Sequence, residues 1–192
     1  MKIFNQIILI FWLVFLVYWL VSAIGAKRSV HDGSWWKGAV FRLILIVTVF
    51  LLLRTSQVEP FLRNIGNYET GSSRIVISSI GLFFCVSGMA LALLARVYIG
   101  RNWGMPMSQR EDPELVTTGP YAFVRHPIYT GMLLAVLGTV LVSGIPWLIP
   151  FVFICAYFVY SAKTEEKHMV KQFPKAYPEY RKRVKALIPF IW

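Results

Sequence analysis

Charge is scarce in this chain. Only 15% of its 192 residues are charged and nine are acidic, whereas a soluble domain of this length carries about a quarter charged residues. Cysteine is scarcer still. Cys85 and Cys155 lie in separate apolar segments with no CxxC pairing, so they read as small core side chains and leave the redox compartment open. The three histidines, His31, His126 and His168, share no HxxxH or HxxE spacing, and no metal site is expected. "GRNWG" at 100–104 has two glycines but is neither GxGxxG nor a P-loop, and no GxSxG elbow or Cys–His dyad occurs. These absences exclude the commonest signatures of zinc, nucleotide and covalent acyl chemistry.

Apolar residues are plentiful. They make up 57% of the chain, the mean hydropathy is +0.59, and the excess is gathered into blocks, as bilayer-spanning helices require. The chain therefore reads as an all-α integral membrane protein. Its net charge of +11 comes without an RNA-binding aromatic signature or zinc-finger spacing. Basic residues gather on the cytoplasmic side of membrane proteins, so no nucleic-acid partner is expected.

About five transmembrane helices are predicted. Residues 3–24 form an almost uncharged run, longer than a signal-peptide core and read as a retained first helix. The second covers 38–55, with Arg42 near one end, and the third covers 75–99, with Arg96 near its end; both arginines are expected to snorkel. In the third, Ser79, Gly81, Ser87, Gly88 and Ala92 are small enough for a close helix neighbour. The block 128–162 is too long for one helix and is interrupted by "SGIPW" at 143–147. Gly144 and Pro146 mark a turn there, giving a C-terminal helical hairpin over 128–143 and 146–162. Fourteen of the 20 Lys and Arg then fall on one side, eight of them in the tail 161–192, and four on the other. That bias puts the C-terminal tail in the cytoplasm. The chain reads as a single membrane domain over 1–192, with N-terminal helices in 1–74 and a core plus tail in 75–192.

Two polar stretches on the basic side stand out. In "LVTTGPYAFVRHPIYTG", 115–131, Gly119-Pro120 signals a turn and Pro127 suits the first turn of a helix. Arg125 and His126 then sit at a helix start, beside exposed N–H groups that attract anions, with Tyr121 and Tyr129 flanking them. The bland alternative is a snorkelling arginine in an interfacial aromatic belt. In the tail, Glu165 and Glu166 follow directly on a transmembrane helix, where the dipole disfavours acids. They therefore call for a cationic partner, and surface pairing with Lys163, Lys167 or Arg125 is the plain alternative. Tyr177 and Tyr180 are expected to pack on the membrane surface, and the tail's basic run to bind anionic lipid.

Together, "GRNW" (100–103), "LVTTGPYAFVRHPIYTG" (115–131), Glu165-Glu166 and "YPEYRKRVKALIPF" (177–190) resemble the isoprenylcysteine carboxyl methyltransferase family. That family sits within a wider group of membrane methyltransferases that includes phospholipid N-methyltransferases. The resemblance covers roughly residues 80–190; Phe173-Pro174 after the Glu-Glu helix departs from its usual pattern. It implies S-adenosylmethionine as methyl donor, held in a cytosolic pocket formed by the 100–127 loop and the C-terminal tail, and a lipidic or prenylated acceptor arriving from the bilayer. By motif position it implies Leu115, Val116, Tyr121, His126, Tyr129 and Glu165 as cofactor-binding residues. Arg125 and Glu166 are the implied catalytic pair that orients the acceptor. Three alternatives stand beside carboxyl methylation: phospholipid N-methylation, an NADPH-dependent sterol-type reductase with a similar RHPxYxG segment, and a non-enzymatic membrane scaffold.

Overall fold

Apolar side chains all around a segment leave its backbone no polar partner in lipid but itself, which selects the α-helix. The computed structural model of the chain describes residues 2–23, 72–103, 114–144 and 147–189. Their helices are α1 (Lys2–Ala23), α2 (Ser72–Ile99), α3 (Pro127–Ser143), α4 (Leu148–Gln172) and α5 (Ala176–Arg183). Single 3-10 turns occupy Gly100–Asn102 and Gly119–Ala122. Among the described residues there is no strand, and one parallel bridge joins Val124 to Lys185.

Helices α1, α2 and α4 are long and apolar enough to cross a membrane. At 17 residues α3 is apolar but shorter, about 25 Å against a hydrocarbon core of about 30 Å. The predicted span 38–55 and its Arg42 lie outside the described residues, as does Pro146. The hairpin is present, with Gly144 closing α3 at φ +99° and its N–H on Val140 O at 2.8 Å. Its second arm runs further than expected. No breaker follows residue 162 until Phe173-Pro174, so α4 continues through Glu165 and Glu166 as regular helix.

Helices α2 and α3 pack almost backbone to backbone. A Cβ on Gly81 would lie 2.8 Å from Gly138 O, and one on Gly88 would collide with Gly131 O and Ala135 N. The contact face is Ser78, Gly81, Cys85, Gly88 and Ala92, at helical spacing. Ser79 points outward and Ser87 is only half-buried, correcting the predicted stripe. Cys155 is likewise half-buried, whereas Cys85 lies in the core with Ile8, Phe15, Met89, Ala135 and Val142.

Three polar contacts orient α1 against this pair. Asn5 meets Ser143 at 3.0 Å, Trp12 Nε1 donates to Thr139 Oγ1 at 3.1 Å, and Ser22 O accepts from Arg96 Nη2 at 2.5 Å. Helix α1 thus runs parallel to α2 and antiparallel to α3. Arg96 does not snorkel. It is 5% exposed, donates also to Gly100 O at 2.7 Å, and lies 4.6 Å over the Trp103 ring. Carbonyls freed at the end of α2 and an electron-rich ring offer the guanidinium a protein environment.

Candidate active site

The site forms where α3 begins and α4 leaves its apolar stretch. Pro127 opens α3 because its missing N–H costs nothing in the first turn, and His126 immediately precedes it. Glu165 and Glu166 come to this level on α4. Arg125 Nε and Nη2 donate to Glu166 Oε1 at 2.9 and 2.5 Å, and Arg181 Nε lies 3.4 Å from Glu166 Oε2. His126 Nε2 is 3.4 Å from Glu166 Oε1, and Nδ1 is 3.5 Å from Glu165 Oε2. The Tyr129 hydroxyl donates to Glu165 Oε1.

Both ring nitrogens of His126 therefore face carboxylates, an arrangement that favours the doubly protonated ring. Burial works against that charge, but hydrogen bonds and attraction from Glu165 and Glu166 outweigh it, raising the imidazole above its ordinary 6.5. The same ring continues an aromatic stack. His126 and Tyr129 lie 5.5 Å apart at 4°, and Tyr129 and Phe158 lie 4.5 Å apart at 14°. Two carboxylates, the Arg125 guanidinium and three stacked rings, His126 among them, thus share one small, largely buried volume with Arg181 at its exposed edge.

The structure joins Arg125, His126, Tyr129, Glu165 and Glu166 in a single network. Tyr121 borders it, buried in its 3-10 turn with its carbonyl accepting from Tyr180 Oη at 2.5 Å. Leu115 and Val116 are half-buried in the segment entering that turn. Part of the expected pocket wall, 104–113, lies outside the described residues. The N–H groups of Arg125 and His126, just ahead of the helix, are engaged by the tail. Arg125 N donates to Lys185 O at 2.8 Å and His126 N to Ala186 O at 3.0 Å, while Glu165 and Glu166 supply negative charge nearby. Tyr177 and Tyr180 do not lie on the membrane surface. Both are buried, their rings 6.0 Å apart, and burial pushes the Tyr180 hydroxyl up to about 12, so it remains a donor at neutral pH. Thr130 went unnoticed in the sequence, where one threonine after RHPxY carries no signal; its Oγ1 donates to Leu187 O at 2.7 Å.

The family model described as phospholipid methyltransferase matches residues 76–176, more than half of the chain. The chain belongs to the phospholipid methyltransferase family. Within it, the chain is 35% identical over 118 residues to a protein-S-isoprenylcysteine O-methyltransferase of Schizosaccharomyces pombe, a match covering 59% of this chain and 49% of that one. It is 31% identical over 119 residues to a protein of the same name from Tribolium castaneum, covering 60% and 42%. The chain spans about half the length of these curated relatives. Among solved structures, a eukaryotic intramembrane Ras methyltransferase, isoprenylcysteine carboxyl methyltransferase, shares the fold. Its TM-score is 0.52 at 24% identity, over 84% of this chain and 55% of that one. The phospholipid methyltransferase match includes α3 and both glutamates, so it contains the whole ion-paired cluster except Arg181.

Proposed function

We propose that the protein is a membrane methyltransferase that transfers the methyl group of S-adenosylmethionine to a lipidic carboxylate of the isoprenylcysteine type. The observation that carries this reading is the buried Arg125–Glu166–His126–Glu165–Tyr129 network at the membrane end of two apolar helices. The names borne by the relatives supply the chemistry. The charge bias of the sequence supports a site and C-terminal tail that face the cytosol.

The residues present fit such a donor. S-adenosylmethionine supplies an activated methyl on a sulfonium cation. Glu165 offers it negative charge and the Tyr121 ring an electron-rich surface, with Tyr129 bordering the site through its hydroxyl on Glu165. Asn102 Oδ1 is buried with no hydrogen-bond partner among the described residues, and its Nδ2 lies 3.5 Å from Glu114 Oε2, just before Leu115 and Val116. An orphaned acceptor of that kind is costly unless a ligand donor reaches it. Leu115, Val116, Tyr121, His126, Tyr129 and Glu165 form the cofactor side, and Glu166 marks the acceptor side.

A carboxylate acceptor is ionised at neutral pH and needs no base. The chain's contribution is then to orient the acceptor and exclude water from it. Phospholipid N-methylation is the runner-up. It would require Glu166 to take a proton, and a carboxylate already bound by a guanidinium and an imidazole is a poor proton acceptor. That pairing favours the carboxylate.

The test is thermal stability of the detergent-purified protein with S-adenosylhomocysteine and, separately, with NADPH. Labelled methyl transfer to an isoprenylcysteine analogue and to an aminophospholipid follows. Stabilisation by S-adenosylhomocysteine alone is expected, since specific binding raises the midpoint by linkage. A shift with NADPH alone would replace the methyltransferase reading by a reductase.

A further inference from the structure

We infer that Arg125, Thr130 and Tyr180 are positioning residues that hold the C-terminal segment 184–187 across the start of α3, and through it set the shape of the proposed donor site. This deepens the methyltransferase reading and rests on it. It also moves Arg125 from touching the acceptor to acting through the segment it holds.

Arg125 and His126 lie between the 3-10 turn and α3, which begins only at Pro127, so neither helix supplies acceptors for their amides. The tail supplies the missing acceptors. Lys185 O and Ala186 O receive the N–H groups of Arg125 and His126, and Val124 pairs with Lys185 as a parallel bridge. Side chains fix this pairing at three points. Tyr180 Oη donates to Tyr121 O at 2.5 Å, ahead of the bridge. Arg125 Nη1 donates to Val184 O, with Arg181 O 3.4 Å away. Thr130 Oγ1 donates to Leu187 O at 2.7 Å, one turn into α3.

Arg125 is fully engaged by this arrangement. Its Nε and Nη2 bind Glu166, its Nη1 binds the tail, and its side chain is 8% exposed. An incoming carboxylate would have to displace one of these bonds. Leu187, 3% exposed, packs against Tyr129, Phe158 and Ala162. The held segment therefore buttresses the aromatic stack whose first ring is His126. Releasing it would free the rings that the donor is proposed to meet, while leaving the α2–α3 glycine contact untouched.

Hydrogen exchange of the purified full chain, without ligand, tests this through the amides of Arg125 and His126, alongside steady-state kinetics. The variants are Thr130→Val, Tyr180→Phe, their combination, and Thr130→Ser as the conservative rescue. The double variant should exchange both amides at least about tenfold faster, since two hydrogen bonds holding the segment are lost. The amides of α3 near Ala135 should be unchanged. Its KM for S-adenosylmethionine should rise about tenfold with kcat within about twofold, the pattern of lost binding geometry. Thr130→Ser should match the wild type in exchange. Wild-type exchange at Arg125 and His126 in the double variant would overturn the inference, as would equal acceleration near Ala135, which would mean a loosened helix. If the exchange result holds but the wild type neither binds S-adenosylhomocysteine nor transfers methyl, the methyltransferase reading fails and the positioning role of the three residues stands.

Discussion

Along its middle, α3 meets α2 through Gly81, Gly88, Gly131 and Gly138, with carbonyls where side chains would normally stand. At its start, the same helix meets α4 and the tail through Arg125, His126, Tyr129 and Thr130. The first contact is held by shape and dispersion at short range, the usual glue of helices in lipid. The second is held by charge and hydrogen bonds among groups too polar to enter the bilayer. The difference teaches where each can tolerate change. A shape contact fails by collision and an ionic one by loss of its partner, so distinct substitutions separate them.

The largest expected effect is on the shape contact. In Gly88→Leu the new side chain meets backbone atoms of Gly131 and Ala135, which cannot rotate away. Overpacking of this kind costs about 3 kcal/mol or more, and thermal unfolding in detergent should show little folded protein. A normal melting curve would mean that α2 and α3 are free to separate.

Next is the ionic contact. Glu166→Gln keeps the side-chain shape but removes the charge facing Arg125, His126 and Arg181. Labelled methyl transfer should fall by about 100-fold or more if the charged network organises the reacting groups. Amide exchange in the middle of α3 should be unaffected. Full activity would remove Glu166 from the mechanism.

The pH response sharpens the comparison further. Because the folded protein raises the His126 imidazole above 6.5, its pairing with Glu165 and Glu166 contributes in full below about 6.5. That contribution is lost as pH rises through the raised value. Melting temperature should accordingly fall as pH rises above about 6.5 and through that raised value, and His126→Asn should flatten that fall. An identical slope in the variant would assign the pH dependence to another group.

Smallest is the contact of α1. Trp12→Phe removes the indole donor to Thr139 Oγ1 together with some ring volume, while Thr139 Oγ1 keeps its own donation to Ala135 O at 3.0 Å. A loss of about 1 kcal/mol in unfolding free energy is expected. A much larger loss would make α1 an essential third member of the α2–α3 pair.

Much of the framework was legible from residue pattern. The apolar runs of α1, α2 and α3, the turn at Gly144 and the helix start at Pro127 each follow from a local rule about backbone hydrogen bonding in lipid or about ring geometry. The candidate site residues Arg125, His126, Tyr129, Glu165 and Glu166 stand out by resemblance and by the oddity of charge beside an apolar run. Their pairing was not legible, because Arg125 and Glu166 are 41 positions apart and nothing local states which carboxylate the guanidinium will meet. Arg96 and Tyr180 were misjudged for a related reason. Side chains that ordinarily seek the interface stay inside when the fold brings carbonyls to them, as Gly100 and Ser22 do for Arg96 and Tyr121 does for Tyr180.

By itself, then, the sequence determined that this chain forms membrane helices, where several of them start and stop, and which residues carry unusual charge, since each depends on neighbours within a few positions. Only the tertiary structure decided which face of α2 carries the contact, how far the paired carboxylates reach and where the tail docks. Those outcomes depend on distant segments meeting, and a hydrogen bond or ion pair across such a distance is a property of the packed chain rather than of either segment.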